Sequence, residues 1–166
     1  MADQPHPHRT DVHSPERRSY NMSRIRGRDT KPEVLIRHGL HARGYRFRLQ
    51  DKRLPGRPDI VLPKWHSVIL VHGCFWHGHD CPMFHLPATR PDFWRKKIDA
   101  NRARDELTAG ALAAAGWRRL TVWECALRGR ARLPVSEVLD ICAQFLQSAA
   151  EEAEIQGEWE RLEIKP

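Results

Sequence analysis

Residues 59–81 read DIVLPKWHSVILVHGCFWHGHDC. The first part holds two short apolar runs, Asp59 to Leu62 and Ser67 to His72, separated by Pro63-Lys64-Trp65-His66. Short apolar runs bounded by turn residues read as strands, and the Pro-containing spacer reads as a hairpin turn. Both runs are apolar nearly throughout, so both faces of these strands should be covered. The second part, Val71 to Cys81, has a different character. It packs two cysteines, three histidines, an aspartate and the adjacent aromatics Phe75 and Trp76 into eleven residues. Histidines and carboxylates are costly to bury without partners, so this is a site rather than core. A metal site or a loop that wedges into DNA would use such a mixture.

The flanks build the rest of a layered fold. Leu54-Pro55-Gly56-Arg57-Pro58 carries turn chemistry, and Tyr45 to Gln50 alternates apolar and polar as a half-buried strand does. Thr30-Lys31-Pro32-Glu33 fits a capping box, starting a helix whose core side carries Leu35, Ile36, Leu40 and Ala42 and which Gly44 ends. Downstream, the pattern predicts a long helix over 91–115 closed by Gly116, a fourth strand over 118–124, and a last helix over 134–149. Val135, Val138, Leu139, Cys142, Phe145 and Leu146 follow the inner side of that last helix. Helix, three strands, helix, strand, helix makes an α/β sandwich, a central mixed sheet flanked by helices.

The termini differ from this body. Residues 1–18 are rich in Pro, His, Ser and Arg without periodicity and are expected to be a disordered tail. Residues 19–28 form a basic arm whose apolar groups are Tyr20, Met22 and Ile25. Met22 is available as a wedge if the arm orders on DNA; a mobile arm fits equally. The folded domain is placed at 19–149. Residues 150–166 are expected to be an acidic tail, a frayed helix with Trp159 and Leu162 docking weakly.

A chain of 166 residues with 40% hydrophobic content suits one soluble domain. No apolar run approaches the roughly 20 residues of a spanning helix, and the polar N-terminus lacks a signal-peptide segment. A cytoplasmic protein is expected, its four cysteines being thiols or metal ligands rather than disulfides. Net charge is +7, and because residues 151–166 carry six Glu against Arg161 and Lys165, the first 150 residues carry +11. Arginine far outnumbers lysine, and its planar fork suits phosphates and guanine edges. A nucleic-acid partner follows from this, although an arginine-rich proteome produces the same balance.

Cys74, His79, Cys81 and the distant Cys125 make a Cys₃His set, one of the closed structural zinc combinations. The spacing requires the ends of the third and fourth strands to lie together, and His77 rivals His79 as the nitrogen ligand. Cys142 sits on an apolar helix face and reads as a small buried hydrophobe. Asp59 opens a strand at the rim of the sheet, where a carboxylate can hold a hard cation such as Mg²⁺; turn chemistry after Pro58 is the alternative. An antiparallel pairing would bring the end of the third strand beside it. His72 and His77 would then flank the carboxylate as base or proton donor.

Together the stretches LPGRPD (54–59), HGCFWH (72–77) with Cys81, PATRPDFW (87–94) and GWRRLTVWECALRG (116–129) resemble the very short patch repair endonucleases of bacteria. Residues 24–33 match more loosely. The resemblance implies a restriction-endonuclease-like fold, one structural zinc, and Mg²⁺-dependent nicking 5′ of the thymine in a T:G mismatch left by deaminated 5-methylcytosine. Carried over by position, it implies Asp59 as the metal-binding carboxylate, with Val71 contacting the same metal through its backbone carbonyl. It makes His77 the general base, puts His72 and Glu33 at supporting positions, and puts zinc on Cys74, His79, Cys81 and Cys125. Phe75, Trp76 and Trp94 fall on the aromatic wedge beside the mismatch, with Met22 approaching from the other groove. The implied partners are mismatched duplex DNA, the mismatch-repair protein MutL, a repair polymerase and a cytosine-5 methyltransferase of matching specificity, for a monomeric enzyme. Where the wider nuclease superfamily carries an acid-x-Lys, this chain has Val71-His72-Gly73, which demotes a generic restriction enzyme. A double-strand-cutting nuclease and a non-catalytic zinc-stabilised DNA-binding module are the alternative readings.

Overall fold

The computed structural model describes residues 14–23 and 27–159. Residues 1–13, 24–26 and 160–166 lie outside the described residues, as does the Met22 side chain; the expectations placed on Met22, Ile25 and Leu162 fall there.

Among the described residues, five strands form one sheet in the order β1 (Arg48–Leu49), β2 (Ile60–Leu62), β3 (Ser67–His72), β4 (Arg118–Trp123) and β5 (Glu152–Ile155). The two apolar runs of residues 59–72 become β2 (Ile60–Leu62) and β3 (Ser67–His72), paired antiparallel with Ile60 opposite Ile69 and Leu62 opposite Ser67. Between them Pro63–Trp65 makes one 3₁₀ turn, and His66 closes it in the left-handed region at φ 48°. From β3 the chain crosses through the long helix α3 (Pro91–Ala114) to β4 (Arg118–Trp123), which runs parallel to β3 from Ser67–Arg118 to His72–Trp123. That crossover needs a helix, because parallel neighbours cannot be joined by a tight turn. β3 and β4 therefore end side by side, as the cysteine spacing requires.

On one face of the sheet, Ile60, Leu62, Ile69, Leu120 and Val122 pack against α2 (Lys31–Ala42) and α5 (Val135–Gln147) through Ile36, Leu40, Val138, Phe145 and Leu146. On the other face, Val61 and Val68 meet Leu112 of α3 and Trp117. Covering both faces explains the unbroken apolar runs. α2 starts as expected: the Glu33 amide donates to Thr30 Oγ1 at 3.4 Å, and the Glu33 carboxylate reaches back to the Asp29 amide at 3.0 Å. Cys142 is fully buried in the first core. Arg118 ties the layers together, its guanidinium donating to the carbonyls of Phe145, Leu146 and Ser148 at the end of α5 and to Trp65. These are the carbonyls a helix end leaves without intrahelical donors.

Several expectations need correction. The strand expected over 45–50 shrinks to β1, Arg48–Leu49. Tyr45 and Phe47 do pack on the core, but Leu49 is left 46% exposed at the sheet edge. Residues 15–18, assigned to a disordered tail, belong with part of the arm to helix α1 (Pro15–Ser23). Local chemistry starts it: Ser14 Oγ accepts the Arg17 amide at 3.3 Å, and Glu16 lies in the first turn. The fourth strand stops at Trp123, and Glu124–Leu127 turn into the short helix α4, with Cys125 and Ala126 buried.

The acidic C-terminal segment is not a frayed helix. Glu152–Ile155 form β5, parallel to β4 with Leu120 opposite Ala153 and Val122 opposite Ile155. Its two glutamates point outward while Ala153 and Ile155 pack on the core. This is the period-two pattern of an edge strand, overlooked because the glutamates dominate the composition.

Candidate active site and metal centre

Two sites are built on the ends of β3 and β4. The first begins with Asp59, immediately before β2. The Val71 amide on β3 donates to Asp59 Oδ2 at 2.8 Å. In an antiparallel pairing the amide and carbonyl of one residue leave the strand on the same edge. The Val71 carbonyl therefore leaves toward the Asp59 side, beyond the last β2 rung at Ile60. Burial pushes the Asp59 carboxyl up to about 6; the Val71 amide opposes this, the Glu33 carboxylate adds to it, and the charges of Arg37 and His77 oppose it. A desolvated carboxylate with one hydrogen bond and an acidic neighbour is a group that a cation would stabilise.

Glu33 is itself buried, and its carboxylate is fully engaged. It accepts from Thr30 Oγ1 at 2.8 Å, from the Asp29 amide at 3.0 Å and from Arg37 at 2.8 Å. Capping α2 and pairing with Arg37 hold it rigidly at the cleft wall.

His72 ends β3, and His77 follows a turn in which its amide donates to the Gly73 carbonyl at 3.2 Å. The turn folds the two imidazoles into a parallel stack, centroids 3.8 Å apart and planes 2° apart. His77 Nδ1 lies 2.6 Å from Asp105 Oδ2 on α3. This contact assigns the proton to Nδ1 and leaves Nε2 as the acceptor. Burial, then the charge of His77, holds His72 down to about 3, so it is neutral at physiological pH. His72, His77 and Asp105 bring possible ligand atoms within 4.8 Å of one another. Yet the in-plane lone pairs of parallel stacked rings cannot both aim at one ion between them, so His77 and Asp105 are better read as a hydrogen-bonded dyad. Asp105 was missed in the sequence because it lies 28 residues beyond His77 on a highly charged helix, where nothing local marks it.

Glu33, Asp59, Val71, His72, His77 and Asp105 line one cleft of about 640 Å³. A larger cleft of about 770 Å³ shares the histidines and Asp105 but lacks Asp59 and Val71. The smaller one is the cleft that joins Asp59 and Val71 to the two stacked imidazoles. Arg57 and Arg104 also stand in its wall.

Trp76 also lines this cleft, and with Phe75 and Trp94 it forms a half-buried cluster of edge-to-face contacts. Phe75 lies 5.1 Å from Trp76 and 5.4 Å from Trp94, and Trp76 lies 6.0 Å from Trp94. Phe84, not foreseen, joins at 6.2 Å from Phe75. Asn101 of α3 fixes the loop by donating to the Trp76 carbonyl at 2.9 Å. On α3 Ile98 is buried, while Phe93 is 47% exposed.

The second site is the sulfur cluster. One ligand atom from each of Cys74, His79, Cys81 and Cys125 lies within 4.8 Å of the others. Interlocking turns set the local three: the His79 amide donates to the Cys74 carbonyl and the Cys81 amide to the His79 carbonyl, both at 2.9 Å. α4 delivers Cys125. His79 Nδ1 stands 3.6 Å from both Cys74 Sγ and Cys125 Sγ, which settles His79 over His77 as the imidazole of the cluster. The Cys125 thiol is drawn down to about 6, first by the Cys74 thiol and further by the Gly157 amide, against its burial. Three thiols and one imidazole, clustered and mostly buried, suggest zinc.

The comparisons with known proteins agree with this geometry. Residues 10–83 match the family model for DNA mismatch endonuclease Vsr. The type II nicking enzyme V.XorIIP of Xanthomonas oryzae is 56% identical over 118 residues, 71% of this chain and 87% of the relative. The DNA mismatch endonuclease Vsr of Escherichia coli is 44% identical over 149 residues, 89% of this chain and 96% of the relative. The type II nicking enzyme V.NmeAIP of Neisseria meningitidis is 44% identical over 122 residues, 74% of this chain and 87% of the relative. A sulfur cluster bracing a carboxylate–imidazole cleft, with identity of this extent to nicking enzymes, makes this chain a DNA nicking endonuclease of the Vsr family.

Proposed function

We propose that the protein recognises T:G mismatches in duplex DNA and hydrolyses the phosphodiester 5′ of the mispaired thymine, on one strand only. The observation that carries this reading is the meeting of Asp59, Val71 and the His77–Asp105 dyad in one cleft, beside the Phe75–Trp76–Trp94 cluster.

Asp59 and the Val71 carbonyl are the donors for Mg²⁺, which when bound stabilises charge on the phosphate and lowers the pKa of a coordinated water. Nδ1–H of His77 donates to Asp105, which orients the ring and leaves Nε2 to accept a proton from the attacking water; such general-base help is typically worth about 10²–10⁴ in rate. His72, neutral and stacked on His77, keeps that ring in plane. Glu33, locked by Thr30 and Arg37, stands in the cleft wall and adds to the pressure that keeps the Asp59 carboxyl raised. Phe75, Trp76 and Trp94 enter the duplex beside the mispair, where unstacking costs least. Met22 on the arm of residues 19–28 approaches from the opposite groove. The Cys₃His centre holds one structural zinc that pins the aromatic loop to the sheet. Residues 19–149 form the endonuclease domain, to which the C-terminal strand is appended.

The substrate arises from deaminated 5-methylcytosine, so a cytosine-5 methyltransferase supplies the lesions, and MutL and a repair polymerase act after the nick in the bacterial cytoplasm. A second reading is favoured by V.XorIIP and V.NmeAIP, both named type II nicking enzymes: the mismatch lies within the recognition sequence of a restriction-modification methyltransferase. The test is incubation with Mg²⁺ of a T:G duplex and its fully paired control. One nick in the mismatched duplex alone is expected. Cleavage of paired DNA on both strands would overturn the reading, and so would binding without any cut.

A further inference from the structure

The C-terminal strand approaches the sulfur cluster more closely than an appended edge strand needs to. Immediately after β5, Gln156 Oε1 lies 3.1 Å from His79 Nε2. The next residue, Gly157, donates its amide to Cys125 Sγ at 3.3 Å. A Cβ at Gly157 would sit 2.7 Å from the Cys125 carbonyl and 2.9 Å from that of Ala131, so no larger residue reaches the thiolate this way. The Glu158 amide then donates to the Ala131 carbonyl at 2.9 Å. Within β5, Glu154 accepts the Trp123 indole N–H at 3.0 Å, and Trp123 stacks on His79 with centroids 4.0 Å apart.

We propose that residues 154–157 form the outer shell of the metal centre, with Gln156 as a positioning residue that fixes the tautomer and ring plane of His79. His79 Nδ1 faces the cysteines, so Nε2 carries the proton and must donate it; Gln156 Oε1 is the acceptor in reach. Metal-bound imidazoles characteristically donate their second nitrogen to such a partner, and loss of the partner weakens metal binding by roughly 10–100-fold. The Gly157 amide adds a hydrogen bond to Cys125 sulfur, which favours the thiolate that a metal requires. The consequence is mutual. The strand holds the ligands in place, and the metal holds the strand against β4. The inference rests on the zinc reading of the cluster.

The test compares the full-length protein with Gln156→Leu, which removes the acceptor, and Gln156→Glu, which keeps one. Zinc content of the purified wild type is measured first by elemental analysis. Zinc release to a chromogenic chelator and hydrogen exchange of the 152–158 amides are then followed without DNA. Expected are release roughly 10-fold or more faster in Gln156→Leu, near wild-type release in Gln156→Glu, and faster exchange across β5 when the metal is stripped. Wild-type release in Gln156→Leu would overturn the proposal. Equal acceleration by both variants would also overturn it, since that indicates lost packing rather than a lost acceptor. A wild type that purifies without zinc would sink the zinc reading itself, a separate result from the chelator kinetics.

Discussion

The two sites at the ends of β3 and β4 are assembled by opposite means. Three of the four sulfur-cluster ligands come from one eight-residue stretch, Cys74 to Cys81, whose turns hold them close to one another. The cleft around Asp59 has no such local origin. Asp59, Val71, His77 and Asp105 come from a strand entry, a strand, a loop and a helix, and only the sheet register and the α3 crossover unite them. The cluster gathers soft donors in a mostly buried loop, which suits a closed brace. The cleft keeps a carboxylate out of balance, and that imbalance is what a catalytic cation would use.

The sharpest way to break this contrast is Asp59→Ala. It should abolish nicking, by more than about 10³-fold given the loss of the metal carboxylate, while leaving mismatch binding and zinc content intact. Residual nicking near wild type would remove Asp59 from the site. Next comes the dyad. His77→Ala should lower nicking by about 10²–10⁴-fold; Asp105→Asn should lower it less and change its pH profile, because the ring loses its orienting carboxylate. Equal losses with unchanged pH dependence would mean that Asp105 is not acting through His77.

Cys125→Ser tests the brace. It should lower the melting temperature and zinc content together, because metal binding at such a site contributes to folding; a zinc-free variant melting like wild type would dismiss the structural role. The cleft should respond in the opposite sense to loss of charge. Asp59 is raised to about 6 in the folded protein, above its ordinary 3.8. Its stabilising contribution is therefore full below about pH 4 and is lost as pH rises through 6. Without divalent ions, Asp59→Asn should stabilise the fold by roughly 1–3 kcal/mol at pH 8 and little at pH 4, read by thermal melts at both values. At limiting Mg²⁺, wild-type nicking should fall as pH drops through about 6 and recover with more metal. The smallest effect concerns the aromatic loop: Trp76→Ala should cost about 1–2 kcal/mol of stability for a half-buried ring yet reduce preference for T:G over paired DNA by roughly 10-fold. A variant that melts early but still discriminates would make Trp76 a core residue.

Much of this was legible in the chain because it was written locally. The unbroken apolar runs 60–62 and 67–72 announced inner strands, Thr30 and Glu33 announced a helix start, and the cysteine and histidine spacing announced a soft-metal site. What escaped was what local pattern cannot carry. Asp105 lies on a helix face crowded with charge, where one carboxylate looks like another. β5 hid beneath its glutamates, since a four-residue alternation is weak beside a strongly acidic composition. Gln156 and Gly157 carry no signature at all until the strand before them has paired.

Residue order alone determined which side chains were available and, through short-range hydrogen bonding and period, which segments would become strands, helices and the cysteine–histidine loop. The choice of His79 over His77 for the sulfurs, the partnership of His77 with Asp105, and the docking of the C-terminal strand were decided by the tertiary structure. The reason is that hydrogen bonds and ligand contacts act over about 3 Å, while the residues that make them lie far apart along the chain, 77 positions for His79 and Gln156. Only packing of the sheet and its helices brings them within that range.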